Sequence, residues 1–321
     1  MRKQVKINTG KVVVQKQVKK KNRRSRVRNP KVSTHKFALS RVNPFLPEVA
    51  GVRVPDDYGY PTGTGICRTA VVMSSNSGGY MCSGFTPFIT SAYQQPLSVT
   101  AGTVVWTGGT FNNPMPQSGA LGNLSSTYRV VSWGLRLSGE TSLTNASGHI
   151  WVAHVPINLS TTFPYYLWPT TEGMIDSMPL SERFSLVELC ERPVIVSGRQ
   201  FDDSAFRFRG QSAEQNATGN AIESTDGWSA IVLFGAGLPA SLATLNVEIV
   251  MHVEFNHNST STYGFIDTIM EPYNLQVIAQ AANMAHSAPI ACPEDMISTI
   301  DRVVETTSRI ARVVVPIASA A

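Results

Sequence analysis

Between Leu245 and Phe255 the chain alternates almost without a break. Leu245, Val247, Ile249, Met251, Val253 and Phe255 fall on one face of an extended strand. Asn246, Glu248, His252 and Glu254 fall on the other, with Val250 the exception. A period of two marks a strand that buries one face, and a helix of period 3.6 cannot segregate these side chains. Residues 128–137 (YRVVSWGLRL) repeat the pattern. Val131, Trp133, Leu135 and Leu137 share one face, on which Arg129 is a polar exception, and Ser132, Gly134 and Arg136 take the other. Residues 229–236 (SAIVLFGA) are apolar on both faces and read as a more deeply buried strand. Further strands are expected at 66–73, 80–89, 103–107, 148–155, 193–197 and 205–209. Turn-rich stretches at 107–127, 139–147 and 210–227 separate them. Many short strands, Gly, Pro, Asn and Ser turns, and no strand–helix alternation predict an all-β sandwich or jelly roll.

Charge divides the chain in two. Of its 27 Lys and Arg, 15 lie in residues 1–41, where there is no Asp or Glu; the remaining 12 face all 22 acidic residues in 42–321. The net charge of +5 therefore hides a strongly basic arm on an acidic body. Like charges repel and the arm offers little to bury, so residues 1–41 read as disordered. Its expected task is to bind phosphates without reading sequence, through Lys3, Lys6, Lys11, Lys16, Lys19, Lys20, Lys21, Arg23, Arg24, Arg26, Arg28, Lys31 and Lys36. Phe37 is its one aromatic, so base stacking is not its mode. Residues 42–65, rich in Pro and Gly, read as a linker or irregular lead-in to a body at 66–256.

Residues 257–321 form a tail. From Pro293 to about residue 315 apolar residues recur at helical spacing, including Ile297, Ile300, Val303, Val304, Ile310 and Val314. This predicts an amphipathic helix whose stripe contacts the body, a second subunit or, transiently, a membrane. A weaker helix is expected over 274–284. No apolar run is long enough for a membrane-spanning helix, and the basic N-terminus lacks the apolar stretch of a secretory signal.

Catalytic patterns are missing from the sequence. It holds no G-x-S-x-G, no phosphate-binding glycine loop and no H-E-x-x-H. His149/His154 and His252/His257 are each five apart, an odd spacing that sends the two to opposite faces of a strand. Cys67, Cys82, Cys190 and Cys292 are scattered, which disfavours a zinc ribbon or disulfide framework. Two adjacent acid pairs, Asp56–Asp57 and Asp202–Asp203, are weak metal candidates; Ca²⁺ at subunit interfaces is the cofactor they could serve. No other cofactor and no enzymatic activity are expected.

The layout of basic arm, β-rich body and short helical tail resembles the coat proteins of small icosahedral viruses. The stretches 126–156 (STYRVVSWGLRLSGETSLTNASGHIWVAHVP) and 226–256 (DGWSAIVLFGAGLPASLATLNVEIVMHVEFN) are similar to paired strands of the nodavirus-like and tombusvirus-like shell domain. Such shells also occur in bacilladnaviruses and cruciviruses. The resemblance implies an eight-stranded antiparallel jelly roll that self-assembles into a virion, in host cytoplasm or nucleus. Its arm would package single-stranded RNA or DNA, and its receptor is unknown. With about 60 or 180 copies, the arms would bring roughly 900 or 2700 positive charges, the scale of a genome of a few kilobases. Nodavirus coat proteins cleave themselves at an Asn–Ala bond near the C-terminus; here the nearest tail asparagine, Asn283, precedes Met284. The alternative is a cellular nucleic-acid-binding β-sandwich with a basic tail, which would form no shell.

Overall fold

The computed structural model describes residues 31–56, 62–106, 110–159, 164–210, 217–218, 221–223, 227–257 and 274–293. Its strands are β1 (Gly63–Ser74), β2 (Met81–Phe85), β3 (Tyr93–Gln95), β4 (Ser98–Thr100), β5 (Thr103–Val105) and β6 (Thr110–Asn113). Then come β7 (Ser125–Gly139), β8 (His149–Val155), β9 (Ile157–Leu159), β10 (Pro164–Leu167), β11 (Ser181–Ser185) and β12 (Val194–Ser197). The last are β13 (Ala217–Thr218), β14 (Ala221–Glu223), β15 (Ala230–Ala236), β16 (Thr244–His257) and β17 (Ala291–Pro293). Five α-helices accompany them among the described residues: α1 (Lys31–Val42), α2 (Ser118–Leu124), α3 (Glu172–Asp176), α4 (Leu186–Glu191) and α5 (Leu275–Ser287).

Eight strands build an antiparallel jelly roll. One sheet runs β1-β16-β7-β12 and is extended by β17; the other runs β11-β8-β15-β2 and is extended by β3 and β6. Chain neighbours such as β1 and β2 lie in different sheets, so the chain crosses between layers repeatedly. Between the sheets sits the main core. All six residues of the alternating face of β16 are in it, with Trp133, Leu135 and Leu137 of β7, Ile150 and Val152 of β8, and Ile231 and Leu233 of β15.

The second sheet is buried on its outer face as well. Trp151 of β8 and Val232 and Phe234 of β15 pack under Phe88, Trp106, Tyr166, Trp168 and Ile175. This covering layer is why residues 229–236 are apolar on both faces. Trp106 and Trp168 stack with centroids 5.0 Å apart. A Cβ on Gly84 of β2 would lie 2.6 Å from the Trp168 ring, so only glycine lets the indole rest flat on the strand.

Arg129 is explained by a bulge. The pairing of β7 with β16 slips between His252 and Val253, so that Val253 pairs with Val130 and His252 with Ser132. The extra residue, Val131, inverts the alternation. Tyr128 and Val130 enter the main core, while Val131 joins a cluster on the outer face of the sheet. Val131 therefore does not share a face with Trp133, Leu135 and Leu137, as unbroken alternation would require.

Two segments differ from the reading of the sequence. Residues 31–41, taken as part of the arm, form most of α1, and Phe37, Ala38, Leu39 and Arg41 are buried. α1 packs on α5 and on β7, where Phe37 and Ala38 meet Val131, Val277 and Ala281. Helix α5 opens with Asn274, whose side chain accepts from the Val277 amide, and its buried stripe Val277, Ala281 and Ala285 has a spacing of four. Residues 42–56 form an irregular lead-in that is packed on the body: Val49, Val52 and Val54 are buried. Where a strand was expected at 205–209, Asp203–Phe206 forms a 3₁₀ turn and Arg209 makes a single bridge to Tyr128. Asp202 supplies its cap. Two of the turn-rich stretches also carry short elements, β6 and α2 in one and β13 and β14 in the other.

Candidate nucleic-acid and assembly surfaces

The cations assigned to phosphate binding divide at residue 31. Lys3, Lys6, Lys11, Lys16, Lys19, Lys20, Lys21, Arg23, Arg24, Arg26 and Arg28 lie outside the described residues. Lys31 begins α1, and Lys36 sits in α1 partly buried. The basic segment thus joins a helix that is docked on the body. Ile297, Ile300, Val303, Val304, Ile310 and Val314 of the expected tail helix also lie outside the described residues. Pro293, placed at the start of that helix, is the last residue of β17. No described helix is long and apolar enough to cross a membrane.

The two acid pairs proposed as weak metal candidates are taken up by other partners as far as they are described. Asp56 pairs with Arg129, and Asp57 lies outside the described residues. Asp202 is exposed and accepts from the Ser204 amide at 3.3 Å; Asp203 begins the 3₁₀ turn. Among the described residues no group of three or more His, Cys, Asp or Glu is placed to hold a metal.

Arg129 is instead the centre of a buried network. Its guanidinium donates to Glu254 Oε2 at 2.8 and 3.0 Å, to Asp56, and to the Phe206 carbonyl at 3.1 Å. Its carbon lies 4.4 Å from the centroid of the Phe208 ring. Glu254 also accepts from the Val54 amide at 3.2 Å and from the Thr62 hydroxyl. One ion cluster therefore fastens the segment before β1 to β7 and β16.

A second polar cluster lies under α1 and α5. His154 Nδ1 and Ser229 Oγ are 2.9 Å apart, and Ser229 Oγ accepts from the Arg199 amide at 3.0 Å. The Arg199 side chain donates to the carbonyls of Ala288 at 2.6 Å and Pro289 at 2.9 Å, pinning the chain after α5. Arg41 of α1 lies over the Trp228 ring, 4.2 Å from its centroid, and donates to Gln200 Oε1 at 3.2 Å. Burial, with the neighbouring charge of Arg199, brings the Arg41 pKa down to about 9. Arg41 and Arg199 are 158 positions apart, so no spacing rule in the sequence signals them.

Burial, reinforced by Arg199, lowers the pKa of His154 to about 3. His252, which bonds the Pro44 carbonyl at 2.7 Å, is also lowered, chiefly by burial. Both take up a proton in the fold only below the usual histidine range, whereas an unfolded histidine does so below about pH 6.5. The unfolded state then binds more protons, so stability is complete above about pH 6.5 and falls as pH drops toward 3. His154 alone should contribute a slope of about 1.4 kcal/mol per pH unit between about pH 6 and 4. Thermal melts across that range check this: His154→Gln should flatten the dependence, and an unchanged slope would contradict it.

The ends of three connections meet at one edge of the barrel. Glu140 donates its amide to the Thr244 carbonyl, and Ser75 donates its amide to the Ala243 carbonyl, joining the β1–β2, β7–β8 and β15–β16 loops. Large apolar side chains stand out to solvent in two of them, Leu143 at 56% and Leu242 at 64% exposure.

No family model and no curated protein matches the sequence. Solved structures do match the fold. VP2 in the subviral particle of infectious bursal disease virus superposes with a TM-score of 0.51 at 10% identity, over 84% of this chain and 99% of that one. A structure of the Gx strain of the same virus gives 0.51, also at 10% identity and over 84% and 99% of the two chains. The likeness to icosahedral virus coat proteins read from the sequence is thus met by the fold, an eight-stranded jelly roll shared with the protein of a virus particle.

Proposed function

We propose that this chain is a viral coat protein. Its jelly roll assembles with copies of itself into an icosahedral shell, and residues 1–30 bind the packaged single-stranded genome. The observation that carries this reading is the attachment of a segment with twelve cations and no acid to a helix docked on an acidic jelly roll. A segment so charged holds a polyanion by releasing its counterions, and the docked helix ties its last residue to the body. The reading is structural rather than enzymatic. The tail stripe from Ile297 to Val314 is assigned to contacts with neighbouring subunits or, transiently, lipid.

The exposed leucines supply a test of assembly. Solitary apolar side chains on a surface are ordinary. Leu143 and Leu242 stand on loops that meet at one end of the barrel, which suits a contact between subunits. Leu143→Asp combined with Leu242→Asp should leave the subunit folded and its melting point nearly unchanged, because neither leucine is in the core. Light scattering should then show subunits or small oligomers instead of particles. Particles in normal yield would remove these loops from the interface. Ca²⁺ held between subunits by acids such as Asp57, Asp202 or Asp203 would show as particle swelling in chelator, and particles unchanged by chelator would remove it.

A further inference from the structure

The chain leaving β12 closes a cavity of about 140 Å³ with α1 and α5, lined by Arg41, Arg199, Gln200, Phe201, Asp202, Ala282 and Ala285. Two of its walls are guanidiniums that are almost wholly buried, Arg41 at 3% and Arg199 at 6% exposure. Arg41 Nη1 and Arg199 Nε are both buried without a hydrogen-bond partner. Neither cavity arginine takes part in the ion pairs of Arg129 with Asp56 and Glu254 or of Arg136 with Glu248. Asp202 also lines the cavity; it is exposed, and its carboxylate caps the 3₁₀ turn. Gln200 contributes a dipole and no charge: its Oε1 accepts from Arg41 at 3.2 Å, and its Nε2 donates to the Asp202 carbonyl at 3.3 Å.

Two adjacent buried cations with spare N–H groups are costly unless an anion joins them. Guanidiniums match the forked oxygens of phosphate, and a bound oxyanion would relieve the repulsion between the pair. Phe201, 43% exposed, also lines the cavity, and an exposed ring of this kind can take the face of a nucleobase. Arg41 is ten residues along α1 from Lys31, about 15 Å at 1.5 Å per residue, so one strand could reach both the basic segment and the cavity.

We infer that this cavity binds one phosphate of single-stranded nucleic acid, with the adjoining base against Phe201; the inference rests on the genome-binding reading above. It gives the body a fixed docking point that the arm, lacking aromatics before Phe37, does not supply.

The test uses the full chain and ligands with one phosphate, which cannot engage many arm cations at once. Thermal melts are taken at constant ionic strength with adenosine 5′-monophosphate, inorganic phosphate and adenosine. At saturation the mononucleotide should raise the midpoint by about 3 °C, phosphate by less, and adenosine not at all. Phe201→Ala should reduce the mononucleotide shift to that of phosphate, and Arg199→Gln should abolish both. No shift of the wild type with either phosphate ligand overturns the site, and this reading does not depend on how well Arg199→Gln folds. Equal shifts with phosphate and mononucleotide, unaltered by Phe201→Ala, overturn the nucleic-acid assignment in favour of a free-anion site. Particles that contain nucleic acid but show no shift count against this cavity alone. A shift in a protein that forms no particles counts against the shell reading alone.

Discussion

Particles of the chain lacking residues 2–30 should carry little or no nucleic acid, while the subunit still folds. The deletion stops at α1 because that helix belongs to the body: Phe37 and Ala38 pack with Val131 of β7 and Ala281 of α5. Removing residues 2–36 instead would take half of α1 and confuse loss of charge with loss of fold. The segment holds twelve cations and no acid, so its loss removes the main attraction for phosphate and leaves a body of net negative charge. The intact chain should bind single strands with a log–log salt slope approaching about −8 if all twelve cations engage. That corresponds to a loss of roughly 10⁵ in affinity between 50 and 200 mM salt. The deleted chain should keep only a shallow slope. Unchanged nucleic-acid content in the deleted particles would sink the assignment of the arm.

Arg129→Met should be among the most damaging single changes in the body, costing about 3–5 kcal/mol of stability. The guanidinium is 2% exposed and its partner Glu254 4%, so the substitution strands a carboxylate away from water. Asp56 and the Phe206 carbonyl lose their donor at the same moment. Adding Glu254→Gln should recover part of the loss, since the amide carries no charge to strand. Arg136→Met is the internal control. Arg136 and Glu248 are 3.6 Å apart and about one-third exposed, a pair worth at most about 1 kcal/mol. Urea midpoints of the unassembled subunits compare the three. Similar losses at Arg129 and Arg136 would mean that the buried network does not hold the segment before β1.

What could be read from the sequence was local. The apolar face of β16 is a two-residue period, and every member of it is in the core. The same rule failed on β7 because a bulge changes the phase midway, and a bulge is set by the partner strand. Arg129 was nonetheless visible as the one residue that broke the pattern, and its partners Asp56 and Glu254 are 73 and 125 positions away. Charge density led residues 31–41 to be grouped with the arm. Phe37, Ala38 and Leu39 are ordinary core residues there, but the surface they bury against is made by β7 and α5, far along the chain. Of the acid pairs, Asp56 serves an arginine and Asp202 caps a helical turn, partners that adjacency in the sequence does not reveal. The paired arginines of the cavity come from α1 and from the end of β12, and only the fold brings them together.

We read this jelly roll as the subunit of a genome-filled shell. Negative-stain electron microscopy of the purified full-length protein, with absorbance at 260 and 280 nm on the same fraction, tests it most directly. The account predicts uniform round particles with the high 260/280 ratio of enclosed nucleic acid, which a nuclease digest of the extracted contents would identify as RNA or DNA. A small species that stays monomeric or dimeric, and takes up nucleic acid only at low salt, would contradict it and leave the shared fold without the shared task.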